Sequence, residues 1–492
     1  MQGTKNMYSS QSAENFVSDD YGYSNMNAGE DNISVSSSEV HTALLSYMFR
    51  LNYSFNSKYL VTLTGRTDGY SAFGKNNKYA FFPSGALAWN ISQEKFMEGT
   101  RGWLDQLKLR LSYGANGNQA INAYQTLDRL SSTKYVYGDG VQASNGTYLP
   151  TNGVGNPNLK WETTYTFNAG LDYTLFNSRL FGSFDFYVSH TKDLLMSRSV
   201  PYMNGYRTIM DNIGKTKNIG FEITATSVNV RQKDFEWRTT VNLSWNKDEI
   251  TKLTDNSKQD LTNKWFVGES SRVYYDYKVI GTWQSDDPRW DATQKKYLNA
   301  DGKVIQAGAV PGSAMLQDTN GDGVINAKDK VIIGSKLPRV LASMTNNFNY
   351  KIFYASFVLN GLFGQWRSAH DYNFDRWMPE FNYLSDMNYW TEDNPTNSMT
   401  SPTYVPFSKH AFYKKMNYIQ IKNVTLGVQL PTSFVRSIGL TAFRIDLSVN
   451  NLYTFSNIKN ALNFDNTTDD EKGAVIGYPT ARSYMLGVNI TF

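Results

Sequence analysis

The chain has 492 residues, 48 of them basic and 44 acidic, and the charge of +4 is spread along its length without a basic stripe of the kind that binds nucleic acid. It contains no cysteine, which excludes a disulfide framework, a thiolate metal centre and a thiol nucleophile; its four histidines, His41, His190, His370 and His410, are never spaced as paired metal ligands. No run approaches the roughly 18 to 20 consecutive apolar residues of a membrane helix.

What remains is a chain with 15% aromatic residues and a mean hydropathy of −0.48, whose apolar side chains recur with period two, the spacing of strands. Residues 1–40, rich in Ser, Asn, Asp and Gly, read as a loop or irregular segment. Met1-Gln2-Gly3-Thr4-Lys5-Asn6 is not followed by the apolar core of a signal peptide. Alternation then sets in. Leu45, Tyr47, Phe49, Leu51, Tyr53 and Phe55 share one face, and Ser46, Met48, Arg50, Asn52 and Ser54 the other. Leu107, Leu109, Leu111 and Tyr113 oppose Lys108, Arg110 and Ser112 in the same way. So do Trp161, Tyr165, Phe167, Leu171 and Tyr173 against Glu162, Thr164, Asn168 and Asp172, and Phe235, Trp237, Val241, Leu243 and Trp245 against Glu236, Arg238, Asn242 and Asn246.

About 13 strands are expected, near 41–56, 58–69, 80–93, 105–116, 160–176, 179–192, 217–230, 233–247, 338–351, 353–364, 412–430, 441–455 and 480–492. Runs of about 10 to 16 residues exceed the usual five or six of a soluble strand and suit a tilted strand that crosses a bilayer. Short turns at Asn56-Ser57, Asn177-Ser178, Gln232-Lys233 and Tyr350-Lys351 alternate with long excursions near 117–159, 193–216, 248–337 and 365–411. A meander with its short turns at one end and its long loops at the other is the layout of an outer-membrane β-barrel; a soluble sandwich has no reason to be lopsided. Register then decides the faces. A slip of one residue would turn Lys108 and Arg110 toward lipid, at roughly 2 to 4 kcal/mol each near the midplane, so the aliphatic and aromatic face points outward.

Counting back from a periplasmic C-terminus puts residues 1–40 on the extracellular side, and a barrel chain cannot begin there. At least one further strand upstream, and hence a longer protein, is expected. The last strand is itself a signal. Tyr484, Leu486, Val488, Ile490 and the terminal Phe492 alternate with Met485, Gly487, Asn489 and Thr491, in the manner of the aromatic-ended strand that the barrel-insertion machinery reads. The alternative is an edge strand, hazardously apolar for a soluble domain.

Two constellations lie in the long loops. Asp318-Thr319-Asn320-Gly321-Asp322-Gly323-Val324-Ile325-Asn326-Ala327-Lys328-Asp329 fits the D-x-[DN]-x-[DN]-G calcium pattern. Side-chain oxygens of Asp318, Asn320 and Asp322, the Val324 carbonyl and the carboxylate of Asp329 would ligate Ca²⁺ in a structural role, while Ile325 would pin the loop to its surroundings. The alternative is a hydrated Asx-turn cluster. Further on, Trp366, Trp377, Tyr383, Tyr389 and Trp390 stand near Asp371, Asp375, Arg376 and Glu380. Aromatic faces stack on sugar rings while acids accept hydroxyls, so Trp366, Trp377, Tyr389 and Trp390 are the candidate substrate contacts, against packing within the loop or on a partner. The carboxylate pairs Asp286-Asp287 and Asp469-Asp470 read as solvated turns rather than glycosidase acids.

A series of collinear motifs resembles SusC/RagA-type TonB-dependent outer-membrane transporters. It includes Arg66-Thr67-Asp68-Gly69-Tyr70-Ser71-Ala72-Phe73-Gly74, Leu107-Lys108-Leu109-Arg110-Leu111-Ser112-Tyr113-Gly114 and Asn156-Pro157-Asn158-Leu159-Lys160-Trp161-Glu162-Thr163. Asn218-Ile219-Gly220-Phe221-Glu222, the loop 318–329 with Ile333-Gly334, Lys422-Asn423-Val424-Thr425-Leu426-Gly427 and Tyr478-Pro479-Thr480-Ala481-Arg482 continue it. Tyr70, Ala72 and Asn463-Phe464-Asp465-Asn466 depart from the family pattern in outward loops. The resemblance implies that residues 41–492 are the C-terminal part of a barrel of about 22 strands, lacking the plug, TonB-box and signal peptide. It further implies a SusD-like surface lipoprotein and the TonB complex as partners, and import of oligosaccharides or peptides as the activity, without covalent chemistry. A passive porin or outer-membrane enzyme is the second reading, and a secreted sugar-binding β-protein the third.

Overall fold

A backbone N–H or C=O in hydrocarbon has no water to turn to, so long strands in that solvent must be paired along their whole length. The computed structural model describes residues 1–18, 20, 24–137, 142–148, 154–201, 203, 205–368, 388–402, 413–437, 439–457 and 480–492. Fourteen strands form one antiparallel sheet in chain order, each bonded to the next. They are β1 (Gln2–Phe16), β2 (Gly29–Phe55), β3 (Tyr59–Tyr70), β4 (Tyr79–Asn90), β5 (Leu104–Asn118), β6 (Glu162–Leu175) and β7 (Leu180–Lys192). There follow β8 (Lys215–Arg231), β9 (Phe235–Lys252), β10 (Val340–Tyr350), β11 (Phe353–Ser368), β12 (Tyr413–Gln429), β13 (Ala442–Ser456) and β14 (Ser483–Thr491).

One expectation is corrected at the N-terminus. The described part of residues 1–40 is mostly strand: β1 pairs with the first half of β2, from Gln2 opposite Leu44 to Phe16 opposite Gly29. Leu44 is also the last residue of β2 to pair with β3, opposite Tyr70. The β1–β2 hairpin therefore projects beyond the rung at which β3 ends, and its side chains are mostly exposed.

The connections are lopsided as the turn chemistry suggests, except that two at the short end, 91–103 and 430–441, are as long as the shortest loops opposite. At one end they run 56–58, 91–103, 176–179, 232–234, 351–352 and 430–441; at the other, 17–28, 71–78, 119–161, 193–214, 253–339, 369–412 and 457–482. Asn56 and Ser57 both adopt left-handed φ, 50° and 56°, as a tight hairpin turn requires. The helix α1 (Thr432–Ser437) fills one of the longer connections at the short end and buries Val435.

Register separates an oily face from a wet one. Across β12, β13 and β14, Leu426 pairs with Leu447 and Leu447 with Leu486, while Val428, Ile445 and Val488 form the parallel row. These side chains stay open, Leu486 at 73% exposure, with no second layer over them among the described residues. That is the face whose solvent is lipid. On the opposite face, hydroxyls and amides bond across strands: Thr164 with Thr191 at 2.8 Å, Thr166 with Ser189 at 2.9 Å, Thr425 with Ser448 at 2.8 Å, and Asn423 to Asn450 at 2.8 Å. The Arg110 guanidinium bridges Asp172 and Asp185 there at 2.8 to 3.0 Å, lying across Gly170, where a Cβ would fall 2.6 Å from Cζ. Tyr354 lies across Gly427 in the same manner, its hydroxyl donating to Asp446 at 3.1 Å.

At the short-turn end, Glu94 ties three segments together. Its carboxylate accepts from Tyr59 Oη at 2.6 Å, Lys58 Nζ at 2.9 Å and Trp89 Nε1 at 3.2 Å. Those donors, the Tyr59 hydroxyl foremost, pull its pKa from 4.5 down to about 2.

Two outcomes follow from these contacts. Gly427→Ala sets a methyl 2.2 Å from the Tyr354 ring and should destabilise by about 1 to 3 kcal/mol, much of it recovered in the Tyr354→Ala background; a double-mutant cycle on chemical unfolding reads the coupling. For Glu94 the folded state favours the ionised form, so its contribution is complete above pH 4.5 and is lost as pH falls through about 2. The thermal stability gap between wild type and Glu94→Gln should hold steady above that upper limit and close toward the lower one.

Candidate functional site

Above the polar face, at the long-loop end, the excursion 253–339 folds on a core of its own. Tyr277, Trp283, Tyr297, Ile305, Leu316 and Ile325 are buried together. The rings of Trp283 and Tyr297 stack at 4.0 Å, and the Arg289 guanidinium covers Trp283 at 4.5 Å while bonding Asp287. The bond from Arg289 holds the Asp287 carboxyl below its ordinary range, and burial pushes the Tyr297 phenol up. Short antiparallel pairs, Val273–Asp276 with Val331–Ser335 and Val279–Thr282 with Ala314–Leu316, carry the chain out and back.

The next excursion docks onto it. Trp390 Nε1 donates to Gln284 Oε1 at 2.8 Å, the Thr282 amide to Asn397 Oδ1 at 3.1 Å, and the Ser401 amide to the Gly312 carbonyl at 2.8 Å. Trp390 is only 6% exposed. Its ring belongs to the packing between the two excursions, which corrects its expected place on an open sugar platform. Tyr389 is half-buried and its carbonyl accepts from Asn394 at 2.9 Å. Trp377, with Tyr383, Asp371, Asp375, Arg376 and Glu380, lies outside the described residues.

Trp366 is placed otherwise. It belongs to β11, opposite Lys415, and stands between two neighbouring clefts of about 450 and 800 Å³ formed where the excursions meet β11 and β12. Gly334 makes room for it, since a Cβ there would fall 2.1 Å from the indole Cδ1. The smaller cleft also carries Lys264, Arg272, Lys336 and Arg367, and the larger one Lys278 and Lys414. These cations are scattered over 150 residues of sequence and no local motif announces them; Gly334, in the motif Ile333-Gly334, is the one clue.

The loop 318–329 closes on its own carboxylates. Asp318 accepts from the Gly321 and Gly323 amides at 2.7 and 2.8 Å, Asn320 from Asp322 at 2.9 Å, and Asp322 from Val324 at 3.0 Å. The amide bonds, that of Gly323 first, hold the Asp318 carboxyl below its usual range. Asp329 is wholly buried and caps the Thr319 and Asn326 amides at 2.9 and 2.8 Å; Ile325 anchors the loop in the aromatic core. Among the described residues no three acidic or histidine side chains converge in a geometry that holds a metal. At the chain's other landmark, Tyr484, Leu486, Val488 and Ile490 all lie on the lipid face of β14, and Phe492, just past the strand, is exposed.

Comparison with known proteins places this arrangement. Residues 3–328 match the family described as TonB dependent receptor-like, beta-barrel. TonB-dependent receptor P3 of Formosa agariphila is 34% identical over 98% of this chain and 48% of its own length. TonB-dependent receptor SusC of Bacteroides thetaiotaomicron is 31% identical over 91% of this chain and 44% of its own. Among solved structures, that of the RagAB peptide transporter superposes with a TM-score of 0.75 at 25% identity, over 95% of this chain and 50% of that one. The chain thus spans about half the length of the curated relatives it matches. These relatives are receptors and transporters of the outer membrane, not enzymes. By its family match, its meandering sheet and its one-sided loops, the chain belongs to the TonB-dependent receptor-like β-barrel family, within the SusC/RagA type.

Proposed function

We propose that this chain forms barrel wall and ligand-facing loops of an outer-membrane importer of oligosaccharides. TonB would drive it through an N-terminal part outside this chain, and a SusD-like surface lipoprotein would cover its loops. The observation that carries this reading is Trp366, held on β11 between two clefts where the loop excursions meet the sheet. An indole offers an apolar ring face for a pyranose, and Asn263, Gln365, Gln317 and Asn397 in the cleft walls offer partners for its hydroxyls. Import of peptides is the second reading, favoured by the likeness to the RagAB peptide transporter.

Calcium at the loop 318–329 is a separate proposal. Asp318, Asn320, Asp322, the Val324 carbonyl and Asp329 supply oxygen donors of the right kind and spacing, and binding would draw them inward from their present amide partners. The role of β14 in barrel insertion stands on the same footing, supported by its unbroken apolar row.

In cells carrying the intact protein, uptake of labelled oligosaccharide should require TonB, and Trp366→Ala should weaken ligand binding about tenfold without lowering the amount inserted. Uptake that persists without TonB would identify a passive pore instead, and uptake of peptides alone would select the second reading. Calcium should raise protease resistance near residue 320, and Asp318→Ala with Asp322→Ala should abolish the effect. Resistance indifferent to calcium would leave the loop a hydrogen-bonded turn.

A further inference from the structure

On the lipid side of the sheet, β7, β8 and β9 change character at one height. Phe184, Phe186 and Val188 of β7 pair with Ile223, Phe221 and Ile219 of β8, and no charge interrupts these rows. The rungs above them are cationic. His190 pairs with Lys217 and Lys192 with Lys215; on β9, Lys247 stands opposite Ile219, Glu249 opposite Lys217 and Lys252 opposite Lys215. Lys192, Lys215, Lys247 and Lys252 are exposed, and Lys192 lies over the Tyr165 ring, 4.9 Å from its centroid. From Leu180, where β7 begins, to His190 is a step of ten residues. That is about 33 Å along a strand and about 25 Å after a tilt of about 40°, the height of the apolar band of an outer-membrane barrel. With the short turns on the periplasmic side, the lysines stand where hydrocarbon gives way to the headgroups of the outer leaflet.

Lys192, Lys215 and Lys252 form a single rung across three strands, and like charges set directly opposite on a sheet repel each other. Snorkelling accounts for one lysine at this depth, not for three side by side. The carboxylates of the adjoining segments face other groups. Asp193 pairs with Lys160 and Asp211 with Arg198, each at 3.2 Å; Asp248 accepts from Ser270 and Ser271, and Glu162 from the Leu195 amide. Glu249 bonds Lys247 at 3.4 Å, and Glu269 stands exposed, its carbonyl accepting from the Ile250 amide. Counting these last two acids, the five lysines still leave a surplus of positive charge. At the same height the outward positions of β5 and β6, Ala115, Gly117 and Thr163, are neutral, so the surplus is confined to three strands.

We propose that the outward rim of β7, β8 and β9 is a docking site for a phosphorylated lipid of the outer leaflet. Its phosphate would accept from Lys192, Lys215 and Lys217, and these charge-assisted bonds would replace the repulsion along the rung. Its acyl chains would lie on the wall below, where Phe221 stacks between Phe184 and Trp245 with centroids 6.3 and 5.6 Å apart. The site faces lipid and is independent of what is imported.

The test uses the intact protein in an uncharged detergent, with monophosphoryl lipid A or the same lipid stripped of its phosphate. Native mass spectrometry counts the lipid retained, and thermal unfolding reads its effect on stability. The phosphorylated form should be held about tenfold more tightly, by a margin that shrinks as salt rises. Lys192→Gln, Lys215→Gln and Lys217→Gln together should bring the two forms level, while Lys233→Gln at the short-turn end leaves the margin intact. Lys215→Gln alone, which also serves if the triple variant fails to insert, should act with opposite signs. Without lipid it should raise the unfolding midpoint, because a repulsive neighbour is gone; with the phosphorylated lipid it should lower it. A shift of the same sign in both conditions would overturn the proposal, as would equal retention of the two lipids by the wild type. Displacement of the lipid by an equal concentration of inorganic phosphate would overturn it in favour of a free anion.

Discussion

Pairing of the backbone is the constraint from which the rest follows. In hydrocarbon an unmatched peptide group costs several kcal/mol, so the chain runs as long antiparallel strands, each bonded to its sequence neighbour. Because each strand is fixed in register by its neighbours, every side chain is assigned to the lipid or the wet face, and a polar chain presents an unbroken oily surface. The row Leu426, Leu447, Leu486 and the row Tyr354, Gly427, Asp446, Gly487 are the two sides of one decision about register.

Loops placed on such a wall need a core of their own, since the sheet's outward face is committed to lipid and its inward face to hydroxyls and ion pairs. The excursion 253–339 meets that need with stacked aromatics, and Trp390 joins a second excursion to it. Between this loop body and the strands β11 and β12 a gap remains, and Trp366 stands in it.

What was readable from residues alone is divided along the same physical line. Strands from β2 onward announce themselves because one face must be oily, as Tyr47, Phe49 and Leu51 show, and the turn residues locate the short end. β1 stayed hidden for the converse reason: Thr4, Asn6, Ser10 and Ser12 alternate with Lys5, Ser9 and Gln11, and two wet faces leave no contrast to detect. Ile325 was recognisable as an anchor because an isolated apolar residue in an acidic loop has little else to do. Trp390 was misplaced, since aromatic composition alone does not distinguish a ring that packs from a ring that stands open. The cleft cations come from segments spread over 150 residues and are gathered only when the loops fold against β11 and β12.

The projecting β1–β2 hairpin has a mechanical consequence. Its outer half, residues 29–43 of β2, extends roughly 50 Å along the strand beyond the rung shared with β3. It is continuous with the backbone of a wall strand, so it behaves as a pointer fixed to that wall. A twist of a few degrees in the sheet swings its tip by several ångströms, which makes a probe attached near Ser18 a sensitive gauge of how far the wall deforms.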